Sequence, residues 1–124
     1  MGKRALVLFA HGSRDARWAQ PFLRLQDMLR AQMPDVAVEL AFLELMAPRL
    51  PELIGKLAGE GVDAVTVVPV FLGQGGHVLR DLPILVEDAR VGHPGIRITL
   101  AEAAGESEAV LRAIAAYCTA SLDG

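Results

Sequence analysis

Two histidines and a glutamate follow three predicted strands, and together they could bind a metal ion or move protons. His11 follows the apolar run 4–10, Glu44 comes directly after the run 36–43, and His77 follows a third run and a glycine loop. Ligands bind beyond the carboxyl ends of parallel strands, where the loops converge. Imidazole is neutral near pH 7 and coordinates borderline metals, and a neighbouring carboxylate can offset the charge of the metal. These residue types therefore predict a site for a divalent metal or for proton transfer.

Each of these residues also has an ordinary structural explanation. A histidine after a strand often bonds only to the backbone, and a glutamate at such a position is often a surface or helix-capping carboxylate. Glu44, however, lies in the otherwise apolar stretch 40–46, where a charge without a role would be costly. His93 lies before the fourth strand, at the opposite edge, and is expected in a solvated turn. Two histidines and a carboxylate at one edge favour the functional interpretation.

The elements that must position these residues follow from hydrophobic periodicity. Apolar runs predict strands at 4–10, 36–43, 62–72 and 96–101, and helical spacing predicts helices at 18–33, 50–57, 82–90 and near 110–115. Asp81 is expected to cap the third helix and Pro83 to begin it. Alternating strands and helices imply right-handed crossovers, and therefore an α/β fold. We expect a three-layer α/β/α sandwich around a four-stranded parallel sheet with flavodoxin-like topology, in one domain over residues 1–124.

Composition argues against several classes of partner. The chain has 124 residues, a net charge of −3 and a pI near 5.5, which offer no broad basic field for nucleic acid. The apolar stretch near the N-terminus is too short to span a membrane and lacks a signal-peptide pattern, so a cytoplasmic protein without a membrane partner is expected. Cys118 is the single cysteine, has no metal-ligand spacing, and is expected to fill the core.

The loop between the third strand and His77 is rich in glycine. Gly73, Gly75 and Gly76 could provide backbone flexibility, or they could remove side chains so that a flat ligand lies against the main chain. No Gly-Lys-Ser/Thr follows, so the loop is not a P-loop. Phe71 and Leu72 could line a pocket at the strand end. Nearby arginines, which could also be ordinary solvated residues, would suit a polycarboxylate: they are Arg14, Arg17, Arg49 and Arg80.

Taken together, these motifs resemble the CbiX/SirB chelatase family of sirohydrochlorin cobaltochelatases and ferrochelatases. The resemblance is carried by HGSRD at 11–15, FLELMAP at 42–48, PVFLGQGGHV at 69–78 and DLP at 81–83. It spans nearly the whole chain, and each motif comes at a predicted strand end in the expected order.

The resemblance implies a chelatase-like fold with a tetrapyrrole in the cleft. It makes His11 and His77 the residues that bind the metal and remove protons, with Glu44 assisting. The substrate contacts that we carry over are Ser13, Arg14, Phe71, Leu72, Gly73, Gly75, Gly76 and Arg80. The metal is a substrate in this reaction and no cofactor is permanently bound. Co²⁺ is favoured by the family naming, with Fe²⁺ next and Ni²⁺ third.

The chain departs from many family members in having a single lobe. One lobe would leave a wall of the macrocycle cleft open, so the size predicts a homodimer.

Two other functions fit parts of the sequence. A tetrapyrrole or metal carrier would need the same ligands, and a histidine phosphatase would place a nucleophilic histidine after the first strand. Ala10 stands where that phosphatase motif needs an arginine beside His11, which weakens the second alternative.

Overall fold

The chain folds into alternating strands and helices around one parallel sheet. The computed structural model describes residues 2–73 and 75–124, with only the backbone described for His77 and Leu79. The elements are β1 (Lys3–Ala10), α1 (Gln20–Gln32), β2 (Ala37–Phe42), α2 (Leu50–Gly59), β3 (Val62–Pro69), α3 (Gly76–Gly92), β4 (Arg97–Leu100) and α4 (Glu108–Ser121). Short 3₁₀ helices at Ala16–Ala19 and Ala104–Glu106 precede α1 and α4.

The sheet has the order β2-β1-β3-β4, and every neighbouring pair is parallel. This confirms the predicted α/β fold with flavodoxin-like topology. In that order the connections from β1 and from β3 run to opposite sides, so the crevice between the carboxyl ends of β1 and β3 is the topological switch point. The fold therefore opens a ligand crevice directly beside the residue that follows β1.

Two helices cover one face of the sheet. Val7, Phe9 and Val67 are fully buried on this face beneath α2 and α3. Leu53, Ile54 and Leu57 of α2 and Val86 of α3 supply the opposing side chains. Burying such side chains stabilises the fold by about 1.5–3 kcal/mol each. The strands that carry the site are thus fixed by the main core.

The other face is covered only in part. Helix α1 packs Phe22, Leu25 and Leu29 against Leu8 and Val38 of β1 and β2. Helix α4 has no buried residue, and it contacts mainly the 3₁₀ helix Ala104–Glu106 that precedes it. The predicted apolar face of the last helix is therefore exposed, and Cys118, which was predicted to fill the core, is exposed with it.

Arginines close both edges of the sheet. Val38 O on edge strand β2 accepts hydrogen bonds from Nε and Nη2 of Arg30, at 3.1 and 2.9 Å, and from buried Gln26 at 2.9 Å. Ile98 O on edge strand β4 accepts the same pair of bonds from Arg90, also at 3.1 and 2.9 Å. Each arginine comes eight residues before its acceptor, on the helix that leads into the edge strand. The pairs α1–β2 and α3–β4 are therefore joined by the same arginine-to-carbonyl contact.

The beginning of α3 differs from the prediction. The sequence placed it near residue 82, because proline is favoured in the first turn of a helix, whereas α3 begins at Gly76 and holds Pro83 inside. An interior proline costs about 3 kcal/mol. Val78, Leu82 and Val86 are buried at helical spacing, and their burial offsets that cost. His77 consequently lies in the first turn of α3 rather than in a loop, and Asp81 lies within the helix rather than at its cap.

No helix in the described part of the chain is long and apolar enough to cross a membrane.

Candidate functional site

The carboxyl ends of β1 and β2 bring one predicted pair together. His11 Nε2 lies 3.2 Å from Glu44 Oε1, and the two side chains are 45% and 46% exposed. Partial exposure leaves both groups in contact with each other and open to solvent. The pair can therefore exchange protons with a ligand or share a cation.

Backbone bonds continue the sheet into this site. Leu43 N donates to Ala10 O at 2.9 Å, and Glu44 N donates to His11 O at 3.2 Å, beyond the last paired residues of β1 and β2. The two loops are therefore held as an extension of the sheet. This fixes the backbone of His11 against that of Glu44 before any ligand binds, which is the kind of preorganisation that a reactive site needs.

Gly12 is the residue that allows this close approach. Its φ is +101°, and a Cβ at this position would run into the carbonyl oxygen of Glu44. Glycine is therefore required here on two counts, backbone conformation and space. The His-Gly dipeptide of the first motif has a geometric reason: the glycine lets the backbone of the histidine lie against the loop that carries the glutamate.

Leu45 is a site feature that the sequence did not reveal. Its φ of +68° is in the left-handed region, which costs a non-glycine residue about 1–2 kcal/mol, and its side chain is 54% exposed. The loop is closed behind it by Phe42 N, which donates to Pro48 O at 2.9 Å. An exposed, strained leucine therefore adds apolar surface directly beside Glu44 in the chain. Nothing in the local sequence pattern marks a leucine for this conformation.

The loop that follows β3 lies on the opposite side of His11 from the loop that carries Glu44. Val70 N donates to Phe9 O at 2.8 Å, and the Phe71 ring meets the Phe9 ring edge to face, with centroids 6.1 Å apart. Phe71 is thus anchored in the core rather than free in the cleft. Leu72 is 65% exposed and, like Leu45, gives the same edge of the sheet an apolar surface.

The 3₁₀ helix before α4 supports this third loop. Gly105 N donates to Phe71 O at 2.7 Å, and a Cβ on Gly105 would meet Leu72 O. Gly75 caps α3 with extended backbone, and Gly73, Gly75 and Gly76 are all exposed with no heavy atom close to the position of an added Cβ. The loop therefore has room for a ligand along its main chain.

His77 occupies the second position of α3, after Gly76. Its side chain lies outside what the structure describes, so the predicted pairing of His11 with His77 is supported by topology only. The two residues follow adjacent strands and flank the switch point between β1 and β3. Within the described part of the chain no group of three potential metal ligands converges.

The arginines near the site differ in how free their charge is. Arg17 donates Nε and Nη2 to Asp15 at 3.1 and 2.9 Å, and these bonds hold the pKa of Asp15 below its usual value. Arg80 donates Nε to Gly76 O at 3.2 Å, and Arg14 is exposed. Ser13 Oγ accepts from Asp15 N at 3.1 Å. The charge of Arg17 is thus paired with Asp15, whereas Arg14 and Arg80 are exposed on the loop after β1 and in the first turns of α3.

Comparison with known proteins places the chain among tetrapyrrole chelatases. The CbiX family model matches residues 5–120. A sirohydrochlorin cobaltochelatase of Sulfurisphaera tokodaii is 32% identical over 105 residues, covering 85% of this chain and 82% of that protein. One from Methanopyrus kandleri is 39% identical over 79 residues, covering 64% of this chain and 55% of that protein.

Two solved structures have the same fold. A protein from Marinobacter aquaeolei VT8 that is described as a CbiX protein superposes with a TM-score of 0.84 at 33% identity, covering 97% of this chain and 98% of that one. The sirohydrochlorin chelatase SirB from Bacillus subtilis subspecies spizizenii, in complex with cobalt, gives 0.78 at 26% identity. That match covers 94% of this chain but 50% of SirB, so this chain spans about half the length of SirB.

Proposed function

Because the chain belongs to the CbiX family, we propose that it inserts a divalent metal ion into sirohydrochlorin or a closely related tetrapyrrole. The observation that carries the proposal is the half-exposed His11–Glu44 pair at the carboxyl end of the central strand. The curated relatives are named sirohydrochlorin cobaltochelatases, and solved SirB structures hold cobalt or Fe³⁺. Co²⁺ is accordingly the preferred substrate metal, followed by Fe²⁺ and Ni²⁺.

The spacing of the pair suits one metal ion. Metal–ligand bonds of about 2.1 Å at angles of about 90–110° place two ligand atoms roughly 3.0–3.4 Å apart. The distance of 3.2 Å between His11 Nε2 and Glu44 Oε1 lies within this range, so small rotations of the two side chains would let both atoms bind the same ion in place of their hydrogen bond. One neutral and one anionic ligand hold a cation loosely, which suits an ion that must be passed on.

Insertion releases two protons from the macrocycle, one from each of two pyrrole N–H groups, while the metal gains bonds to the ring nitrogens. His11 Nε2 can accept one of these protons after it has released the ion to the ring, and Glu44 then stabilises the imidazolium that forms. His77 at the start of α3 is assigned to the opposite side of the crevice, as second metal ligand and second base. No cofactor is required beyond the metal, which leaves with the product.

The surface around the pair suits a flat ring with acidic arms. Exposed Leu45 and Leu72 come from the loops on either side of His11 and would contact the macrocycle. Arg14, Arg80 and Ser13 are assigned to its carboxylate arms, because guanidinium groups bind carboxylates through paired hydrogen bonds. Gly73, Gly75 and Gly76 would let the ring lie against the main chain, with Phe71 behind it.

A metallation assay tests this assignment. Purified protein is mixed with sirohydrochlorin and Co²⁺, and insertion is followed in the absorption spectrum against the spontaneous rate. His11→Ala and His77→Ala are each expected to lower the catalysed rate by about 10²–10⁴-fold. His93→Ala is the matched control, because His93 lies beyond the far end of α3 and bonds to Ala89 and Ile96 through its backbone, which the substitution leaves in place. Stoichiometric binding without turnover would identify a carrier and refute the chelatase proposal.

Assembly and location are also part of the proposal. A homodimer is supported by the chain spanning about half of SirB, since two copies would supply two lobes. A cytoplasmic location is supported by the sequence expectation alone. Light scattering measures the first, and fractionation of cells the second.

A further inference from the structure

A groove of about 700 Å³ runs along the outer edge of β2, between α1 and α2. Its apolar wall combines side chains from both helices, from β2 and from the loop after β2: Leu23, Phe42, Met46 and Leu53. Neither His11 nor Glu44 lines it, so the groove is separate from the crevice described above. Sites for small molecules are typically concave, of about 300–1,000 Å³, and mainly apolar with a few polar groups. The groove has the size and the lining of such a site.

The backbone of β2 offers this groove one residue's hydrogen-bonding groups. Val38 O bonds to side chains of α1, and Phe42 N donates to Pro48 O, so alternate residues of β2 turn their backbone away from β1. Leu40 lies between these two, and its N–H and C=O therefore face the groove that it lines. Within the described part of the chain neither group has a hydrogen-bonding partner. A buried residue with a free N–H favours a ligand that brings an acceptor.

The side-chain charges of the groove leave one cation unpaired. Glu39 lies 3.6 Å from Arg30 through Oε1 and Nη2, and the amide of Gln26 donates to the backbone of β2. Lys56 of α2 is exposed and forms no ion pair with any residue that the structure describes. An ammonium group and a backbone N–H thus line the same apolar groove, and both are complementary to an anionic acceptor.

We propose that this groove binds an apolar monocarboxylic acid. The carboxylate accepts from Leu40 N–H and from the ammonium group of Lys56, and the hydrocarbon part lies against the apolar wall. The free stretch of backbone is one residue long, which suits a single small polar group and is too short for an added strand. The proposal rests on this groove and not on the chelatase assignment.

Octanoate is the probe for the first test, and binding to the full chain is measured by calorimetry. One molecule per chain is expected to bind. Octanol keeps the hydrocarbon but lacks the charge, octylamine reverses it, and both are expected to bind at least tenfold more weakly. In a ¹⁵N NMR titration the amide of Leu40 is expected to shift most. Equal binding of octanol or octylamine, no saturable binding of octanoate, or shifts centred on Leu45 and Leu72 would each overturn the proposal.

Two variants with matched controls test the groove itself. Lys56→Gln is expected to raise the dissociation constant for octanoate at least fivefold, whereas Arg24→Gln, which removes an exposed charge of α1 outside the groove, is expected to change it less than twofold. Leu23→Asp places a negative charge in the groove and is expected to raise it at least tenfold. Met28→Asp makes the same change at an exposed position of α1 outside the groove and is expected to leave binding intact. Circular dichroism verifies that all four variants are folded, and wild-type affinity in folded Lys56→Gln or Leu23→Asp would refute the site.

Discussion

The close approach of Gly12 to the carbonyl of Glu44 predicts that a substitution at Gly12 will disturb the His11–Glu44 pair without changing either side chain. Alanine at position 12 must adopt a φ near +101°, and its Cβ must displace the carbonyl of Glu44. The unfavourable backbone conformation costs about 1–2 kcal/mol. Displacing the loop also weakens the bond from Glu44 N to His11 O, worth about 1 kcal/mol. Gly12→Ala is therefore expected to lower the free energy of unfolding by about 2–3 kcal/mol.

Urea denaturation followed by circular dichroism measures this change. A domain of this size is typically stable by about 5–15 kcal/mol, so the variant should remain folded at 25 °C. Gly55→Ala is the control: Gly55 is exposed within α2, and an added Cβ meets nothing within 4 Å. That change is expected to stabilise the protein by about 0.5–1 kcal/mol, the opposite sign for the same substitution.

Activity provides the second readout for Gly12→Ala. Moving the Glu44 loop separates the carboxylate from His11 Nε2, so folded Gly12→Ala protein should insert metal at least tenfold more slowly than wild type. Unfolding free energy within about 0.5 kcal/mol of wild type, together with an unchanged insertion rate, would refute the reasoning that this glycine sets the geometry of the pair.

Three further predictions concern single side chains. Leu45→Gly removes backbone strain but adds chain entropy, so stability in urea should change by less than about 1 kcal/mol while the KM for the tetrapyrrole rises; an unchanged KM would exclude Leu45 from the substrate surface. Arg17→Ala should raise the pKa of Asp15 toward its usual value in an NMR titration, because the bonds from Arg17 lower it; in the wild type their stabilising effect should be complete above the usual pKa of aspartate and be lost as the pH falls from there through the lowered pKa. Arg30→Ala should destabilise the protein by about 1–2 kcal/mol in urea, since two bonds to Val38 O are lost; no loss would mean that Gln26 alone satisfies this carbonyl.

The sheet and the proximity of His11 to Glu44 followed from the sequence for a simple physical reason. Strands buried on both faces are continuous apolar runs, and the residues directly after them must gather at one edge. His11 and Glu44 come directly after such runs, and the structure places them 3.2 Å apart. The sequence correctly placed His77 after β3, but it predicted a loop there, whereas His77 lies in the first turn of α3. Burial of Val78, Leu82 and Val86 stabilises the longer helix by more than the interior Pro83 destabilises it.

Other features lie beyond what a local pattern can specify. The conformation of Leu45 is imposed by the loop around it, so its identity as a leucine carries no signal for a positive φ. The apolar spacing of α4 was visible in the sequence, but spacing alone does not say whether another element of the chain covers that face. Pairings between distant segments depend on how the whole chain closes.

The arginines at the two sheet edges hinder the addition of a further strand from another molecule. A strand that joined β2 or β4 from another molecule would have to displace Arg30 from Val38 O or Arg90 from Ile98 O. Growth by strand addition has no natural end and leads to fibres, whereas contact through a face stops once both surfaces are used. With its edges occupied, the chain is directed toward a finite complex rather than an open polymer.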